Sequence, residues 1–320
     1  MKRTRWLVGV WFVLVLLIVS ALPARAQAVS ITVQAGYGGL FREDHWLPLY
    51  LQVSNDGPAV AGRLVVRPET SGTGIQNRFS LPIELPEGAR KTAFLYITAR
   101  AFASQVRVEL VDTAGVVVAA QSADLRVIQP QDQLAVVFSG AATGTVDLTG
   151  VHGSGYSGYQ ANWTLDNLPD RAAALDAVDR ILFNDIDTGS LSSGQRRTLA
   201  DWVAQGGHLL VTGGANWQAT AAGLADLLPL TPESSTTLGD LTPLADWLRL
   251  PTDRLTGQTV IATGLLQPDA RLLVDAVVVP LIARHSLGAG TVDYLTFDPN
   301  AQPARSWRGL NDLWLTLATT

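Results

Sequence analysis

Two spacings of apolar residues divide the chain. Over residues 28–128 apolar and polar positions alternate. The alternating runs are Ser30–Gln34, Trp46–Val53, Gly62–Arg67, Arg78–Leu85, Thr92–Thr98, Gln105–Val111, Val116–Ala120 and Asp124–Ile128. A period of two places one face of a strand on a core and the other in water. Turn-forming clusters separate the runs: Asn55-Asp56-Gly57-Pro58, Pro86-Glu87-Gly88 and Asp112-Thr113-Ala114-Gly115. Strands recurring at roughly ten-residue spacing predict an antiparallel β-sandwich of immunoglobulin type.

Beyond the polar break Gln129–Gln133 the apolar runs become short and continuous, as in strands buried on both faces. The clearest stretch is residues 179–214, which reads as strand, helix, strand. Asp179–Asp187 is the first strand and its exit. Ser192 caps the helix, with Gln195 placed to complete a capping box. Leu199, Trp202 and Val203 fall on one helical stripe. Gly206-Gly207 ends the helix, and His208–Gly214 is the second strand. A helical crossover of this kind joins parallel strands and is nearly always right-handed.

Leu134–Ser139 predicts a buried strand ahead of this stretch, and Tyr159–Leu165 is strand-like. Pro169 opens a helix through Leu175 and Val178. A helix is expected around Ala219–Leu228. A Pro- and Thr-rich segment with a short helix near Leu244–Leu248 spans 229–258. Strands follow at Thr259–Ala262, Leu272–Val274, Val277–Ala283 and Thr291–Phe297, and a last helix at Trp307–Leu317. Gly153-Ser154-Gly155-Tyr156-Ser157-Gly158 spells a dinucleotide loop. It precedes a strand-like run, whereas phosphate binding needs a helix N-terminus there. It reads as a loop, and no cofactor is expected.

Residues 1–26 change the picture of location. Lys2, Arg3 and Arg5 precede the apolar run Trp6–Leu22, and Ala24-Arg25-Ala26 forms a small-x-small cleavage site. This is the pattern of an export signal. A retained anchor through residues 6–22 is the alternative, and both place the rest outside the cytoplasm, in the periplasm, at the cell surface or anchored to a membrane. The expected division is thus 1–26 signal peptide, 27–129 sandwich and 130–320 α/β domain. Removing the four basic residues of the leader leaves 19 of 23 against 28 acidic, a net of −9. That balance argues against nucleic acid as a partner. The chain has no cysteine, which excludes disulfides, thiolate metal sites and cysteine nucleophiles. Its four histidines form no spaced pair, so no metal site is expected.

Residues 134–320 resemble the class I glutamine amidotransferase-like superfamily. The residues that carry the resemblance are Leu168-Pro169, Asp179–Asp185, Leu199–Val211 and Gly288–Asp298. The specific look-alikes are uncharacterised bacterial envelope proteins that join a β-sandwich to such a domain. The resemblance implies a flavodoxin-like α/β fold with a mostly parallel sheet. It also implies a nucleophile on the elbow after the Gly-Gly turn, where this chain has Val211-Thr212-Gly213-Gly214. A scaffold without amidotransferase chemistry follows, in a chain that stops short of the membrane segments of its look-alikes.

In open parallel sheets ligands bind at the carboxyl ends of the strands. One such end carries Asn184, Asp185 and Asp187. The other carries Thr212, Gly213, Gly214, Asn216 and Trp217. These eight form the candidate ligand pocket. Paired carboxylates can do acid–base work or hold a hard cation, and can equally cap the next turn. Thr212 as a nucleophile needs a base in reach. His208 starts the same strand, about 13 Å away. The expected function is a non-enzymatic envelope interaction or scaffold protein with an envelope protein partner. The alternatives are a hydrolase around Asp185 and Asp187, and a carbohydrate-binding module using Trp46, Trp163 or Trp217.

Overall fold

The computed structural model describes residues 28–70, 77–140, 144–250 and 252–319. The leader segment 1–26 lies outside the described residues. The first part of the chain folds into two antiparallel sheets. β1 (Val29–Ala35), β3 (Trp46–Asn55) and β6 (Arg90–Thr98) pair in the order β1-β3-β6. β4 (Val60–Thr70), β5 (Phe79–Leu85), β7 (Ala103–Asp112) and β8 (Val117–Asp124) pair in the order β5-β4-β7-β8. Alternate residues turn inward: Leu47, Leu49, Leu51 and Val53 from one sheet meet Leu64, Val66, Val106, Val108 and Leu110 from the other. Two short strands, β2 (Leu40–Phe41) and β9 (Arg126–Val127), pair in parallel where the chain leaves this unit.

The second part is built on one seven-stranded sheet. β10 (Gln133–Ser139), β11 (Gly158–Asn162), β12 (Arg180–Asn184), β13 (His208–Thr212) and β18 (Gly290–Leu295) run parallel. β17 (Val279–Leu287) and β16 (Arg271–Ala276) complete one edge antiparallel, giving the order β11-β10-β12-β13-β18-β17-β16. β14 (Leu230–Asp240) and β15 (Thr256–Leu266) form a separate two-stranded ribbon.

This corrects the expected flavodoxin-like class. Strand outweighs helix by 47% to 18%, so the chain is mostly β, and its large sheet is mixed. The crossovers explain the shortfall of helix. Among the described residues of the crossovers only α1 (Ser193–Ala204), between β12 and β13, is a regular helix of three turns. The others use loops, short 3-10 turns, and helices such as α2 (Trp217–Ala222) and α3 (Thr242–Trp247). The predicted helix after Pro169 is not formed. Arg171 is extended, and a 3-10 turn at Ala172–Leu175 buries Leu175. α4 (Leu310–Thr319) closes the chain.

Two cores flank the large sheet. Val136, Phe138, Ile181, Phe183, Leu209 and Val211 face Leu199, Trp202 and Val203 of α1. Val137, Leu182, Leu210 and Leu295 face Leu244, Leu313, Trp314 and Leu317. The sandwich docks on the first side through fully buried Tyr37. Its ring stacks on Trp163 at 5.3 Å and its hydroxyl donates to the Ala174 carbonyl at 2.6 Å.

Candidate functional site

The carboxyl ends of β10, β12, β13 and β18 meet at one edge of the large sheet. Asn184 ends β12 and Thr212 ends β13, and both are fully buried. The Thr212 hydroxyl donates to Asn184 Oδ1 at 3.0 Å. The Asn184 amide donates in turn to the carboxylate of Asp298. Asp298 is 7% exposed, and its Oδ1 accepts from the Asn300 backbone N–H at 2.8 Å. Asn300 Nδ2 donates to the Gly144 carbonyl at 2.8 Å. These contacts form a chain of hydrogen bonds across the strand ends.

Burial pushes the Asp298 carboxyl above its ordinary range, and the nearby Asp185 carboxylate adds to the rise. The Asn300 N–H and the Asn184 amide oppose it. Asp185 is half-buried, with φ 51°, in the left-handed region that non-glycine residues rarely adopt. Gly140 allows this. A Cβ there would lie 1.8 Å from the Asp185 carbonyl oxygen.

The structure brings Asn184, Asp185, Thr212, Gly213 and Gly214 together and leaves the other candidates outside. Asp187 is exposed and caps the turn Thr188–Ser190, accepting from Gly189 N–H at 2.9 Å. Asn216 is exposed, and Trp217 packs half-buried against the core beside α1. The glycine pair makes room for the chain itself. A Cβ on Gly213 would lie 2.4 Å from the Thr296 carbonyl oxygen, and one on Gly214 would lie 2.7 Å from Asp298 Cβ. Asp298 was not among the candidates. Only the parallel pairing of β13 with β18 carries it to the Gly213-Gly214 turn. Its sequence signal was the run Gly288–Asp298, which ends on an acid after a buried strand.

Of the three tryptophans considered for glycan stacking, Trp163 lies between Tyr37 and Phe138 and Trp217 packs on the core. Trp46 is 41% exposed. His208 belongs to a different network. It donates to Asp293 at 2.8 Å, while Arg284 grips the same carboxylate with two hydrogen bonds of 2.5 and 2.6 Å. Among the described residues no cluster of three or more His, Asp or Glu side chains is arranged to hold a metal ion. No helix among them is long and apolar enough to cross a membrane.

A family model described as Domain of unknown function (DUF8726) matches residues 28–126. No curated protein matches the chain. A solved structure titled as a cytoplasmic protein from Salmonella typhimurium LT2 is 15% identical, with TM-score 0.47, and the match covers 58% of this chain and 98% of that one. A second cytoplasmic protein from Salmonella typhimurium is 14% identical, with TM-score 0.44 and the same coverage. An exo-beta-1,4-mannosidase from an Opitutaceae bacterium is 16% identical, with TM-score 0.34, covering 60% of this chain and 35% of that one.

These findings correct the expected amidotransferase-like membership. The family model that matches is one of unknown function, and it lies in the sandwich rather than in the segment that carried the resemblance. The expected exported location is not taken further, since residues 1–26, on which it rests, lie outside the described residues.

Proposed function

We propose that this chain is a non-enzymatic binding protein, in which the seven-stranded unit is a scaffold for the sandwich. One observation carries the reading: the polar groups at the strand ends are spent on one another. Thr212, the only hydroxyl on the elbow, is fully buried and donates to Asn184. Asn184 and the Asn300 N–H hold Asp298. Gly213 and Gly214 are covered by Thr296 and Asp298. A nucleophile needs a base beside it and an open approach for substrate. His208 is engaged with Asp293, and His285 is bonded to the Leu227 carbonyl at 2.8 Å.

The alternative is a hydrolase using Asp185 and Asp298. In its favour, one carboxyl of this pair is pushed up, partly by the other, as acid–base pairs require. Asp298→Asn separates the two readings. Asn retains an oxygen for the Asn300 N–H and removes the charge. A group whose folded pKa is raised contributes stability below its unfolded pKa and loses it as pH rises through the folded value. At pH 7 the variant should therefore be at least as stable as the parent by urea unfolding. Ester, glycoside, amide and phosphoester substrates should show no turnover that depends on Asp298. Turnover by the parent that disappears in a folded Asp298→Asn chain would overturn the binding-protein reading.

A further inference from the structure

The sandwich is closed on one side and open on the other. β1 and β8, outer strands of the two sheets, lie against each other. β5 and β6, the other two outer strands, leave between them a cleft of about 600 Å³ whose walls include Leu81, Ile83 and Ala93. Among the described residues each of these two pairs with one neighbour only. Each therefore presents a row of unpaired backbone N–H and C=O groups, a template for a further strand. Asn55 N–H donates to the Ala89 carbonyl, and hydrogen-bonded pairs alternate along an antiparallel ladder. The N–H groups of Lys91, Ala93 and Leu95 thus face β3, and those of Thr92 and Phe94 face outward. β5 is a poor template, because Pro82 at its middle has no N–H to give. β6 has no proline and pairs with β3 in unbroken register.

One residue stands against that template. Lys91 is the only lysine beyond residue 26, where every other Lys/Arg position is arginine. It lies opposite buried Val53, so its side chain leaves β6 on the face that meets the other sheet. Leu95 and Ile97, further along the same face, belong to the core. Lys91 itself is exposed, at the mouth of the cleft. Glu84 also lines the cleft, but it alternates with Ile83 and Leu85 and projects from the other face of its sheet. We infer that Lys91 keeps this edge from pairing with the same edge of a second copy of the chain. A second copy is the partner at issue because it presents an identical unpaired strand, and two such strands pair about a two-fold axis. A strand added to β6 would close the cleft over the Lys91 ammonium and take it out of water. Inward-facing charge on an outer strand is a general defence against such pairing. An ammonium suits it better than a guanidinium, being compact, strongly hydrated and costly to bury.

This role holds whether or not the chain is a binding protein. The test compares the full chain with Lys91→Val, Lys91→Glu and Thr92→Val by sedimentation and by amide hydrogen exchange. At micromolar concentration Lys91→Val should sediment at twice the parent's mass or more. In that form exchange at the Thr92 and Phe94 N–H groups should slow about tenfold or more. The N–H groups of Ala93 and Leu95 should stay as protected as in the parent, which shows that β6 keeps its pairing with β3. Lys91→Glu retains a hydrated charge and should match the parent. Thr92→Val adds the same apolar side chain to the opposite face and should match it too. Lys91→Val at the parent's mass, exchange at Thr92 and Phe94 left unslowed, or equal association of Lys91→Glu or Thr92→Val would overturn the inference. So would a parent in which the Thr92 and Phe94 N–H groups are already protected.

Discussion

Among the described residues Asp293 is the most completely buried charged side chain, at 0% exposure. Burial alone would push its carboxyl up. Hydrogen bonds from Arg284 and His208 outweigh that and hold it below the ordinary value of 3.8. A carboxyl depressed in the folded state contributes stability above its unfolded pKa and loses it as pH falls through the folded value. The urea midpoint should therefore drop below about pH 4, more steeply in the parent than in Asp293→Asn. At pH 7 Asp293→Asn should cost about 3–5 kcal/mol, because Arg284 stays buried without its counter-charge. A variant with the parent's midpoint at pH 7 would refute the network's role. None of this was legible residue by residue. Asp293 lies inside the run Thr291–Phe297, which reads simply as a strand. Its partners are set by the pairing of β18 with β17 and β13. Asp298 stayed hidden for the same reason, while Asp185 and Asp187 stood out because they flank a strand locally.

Elements whose signals are local were legible, and those that depend on distant partners were not. The start of α1 is the clear case. Gln195 N–H donates to Ser192 Oγ at 3.2 Å, and Gln195 Oε1 accepts from Ser192 N–H at 3.0 Å. Ser192→Ala should cost about 1 kcal/mol, read as a shift in the urea midpoint. Gln195→Ala should cost more than its share of the box, since its Nε2 also donates to the carbonyls of Leu165 and Leu168. Equal losses in the two variants would show that these extra bonds add nothing. Residues 230–240 illustrate the opposite case. Pro232, Gly239 and the Ser/Thr run suggest a loop, yet they form β14. Most of this ribbon is exposed, so it has no continuous apolar face to announce it, and only pairing with β15 makes it a strand. The amidotransferase-like expectation failed at this scale too. Short apolar strands and one capped helix are compatible with several sheet architectures, and the edge strands β16 and β17 turned this one into a mixed sheet.

At the scale of the whole molecule, the polar break after residue 128 marks a change of architecture, but the chain does not separate there. Tyr37 and Leu40 from the first part and Ile128 join the core of the second. Arg42, 8% exposed, crosses the junction. Its Nη2 donates to Asp179 at 2.6 Å and to the Asp132 carbonyl at 2.5 Å. Asp179 also accepts from Leu134 N–H at 2.7 Å, so the same carboxylate anchors the first strand of the large sheet. Asp132 bonds the Gln129 and Ser157 N–H groups, holding the turn between the units. Secondary contacts lie further out. Tyr96 donates to Asp170 at 2.9 Å under the Arg171 guanidinium, and Asn167 donates to Gln34 at 2.7 Å. A junction that shares both apolar core and buried charge should make the two units unfold together, as one calorimetric transition. Arg42→Ala leaves the Asp179 carboxylate and the Asp132 carbonyl short of a donor, a loss of about 1.5–3 kcal/mol for hydrogen bonds to a charged group. Combined with Tyr37→Phe, which removes the bond to Ala174, it should split the transition in two, the sandwich melting apart from the large sheet. If the double variant still melts in one transition with an unshifted midpoint, Arg42 and Tyr37 do not carry the coupling between the two units.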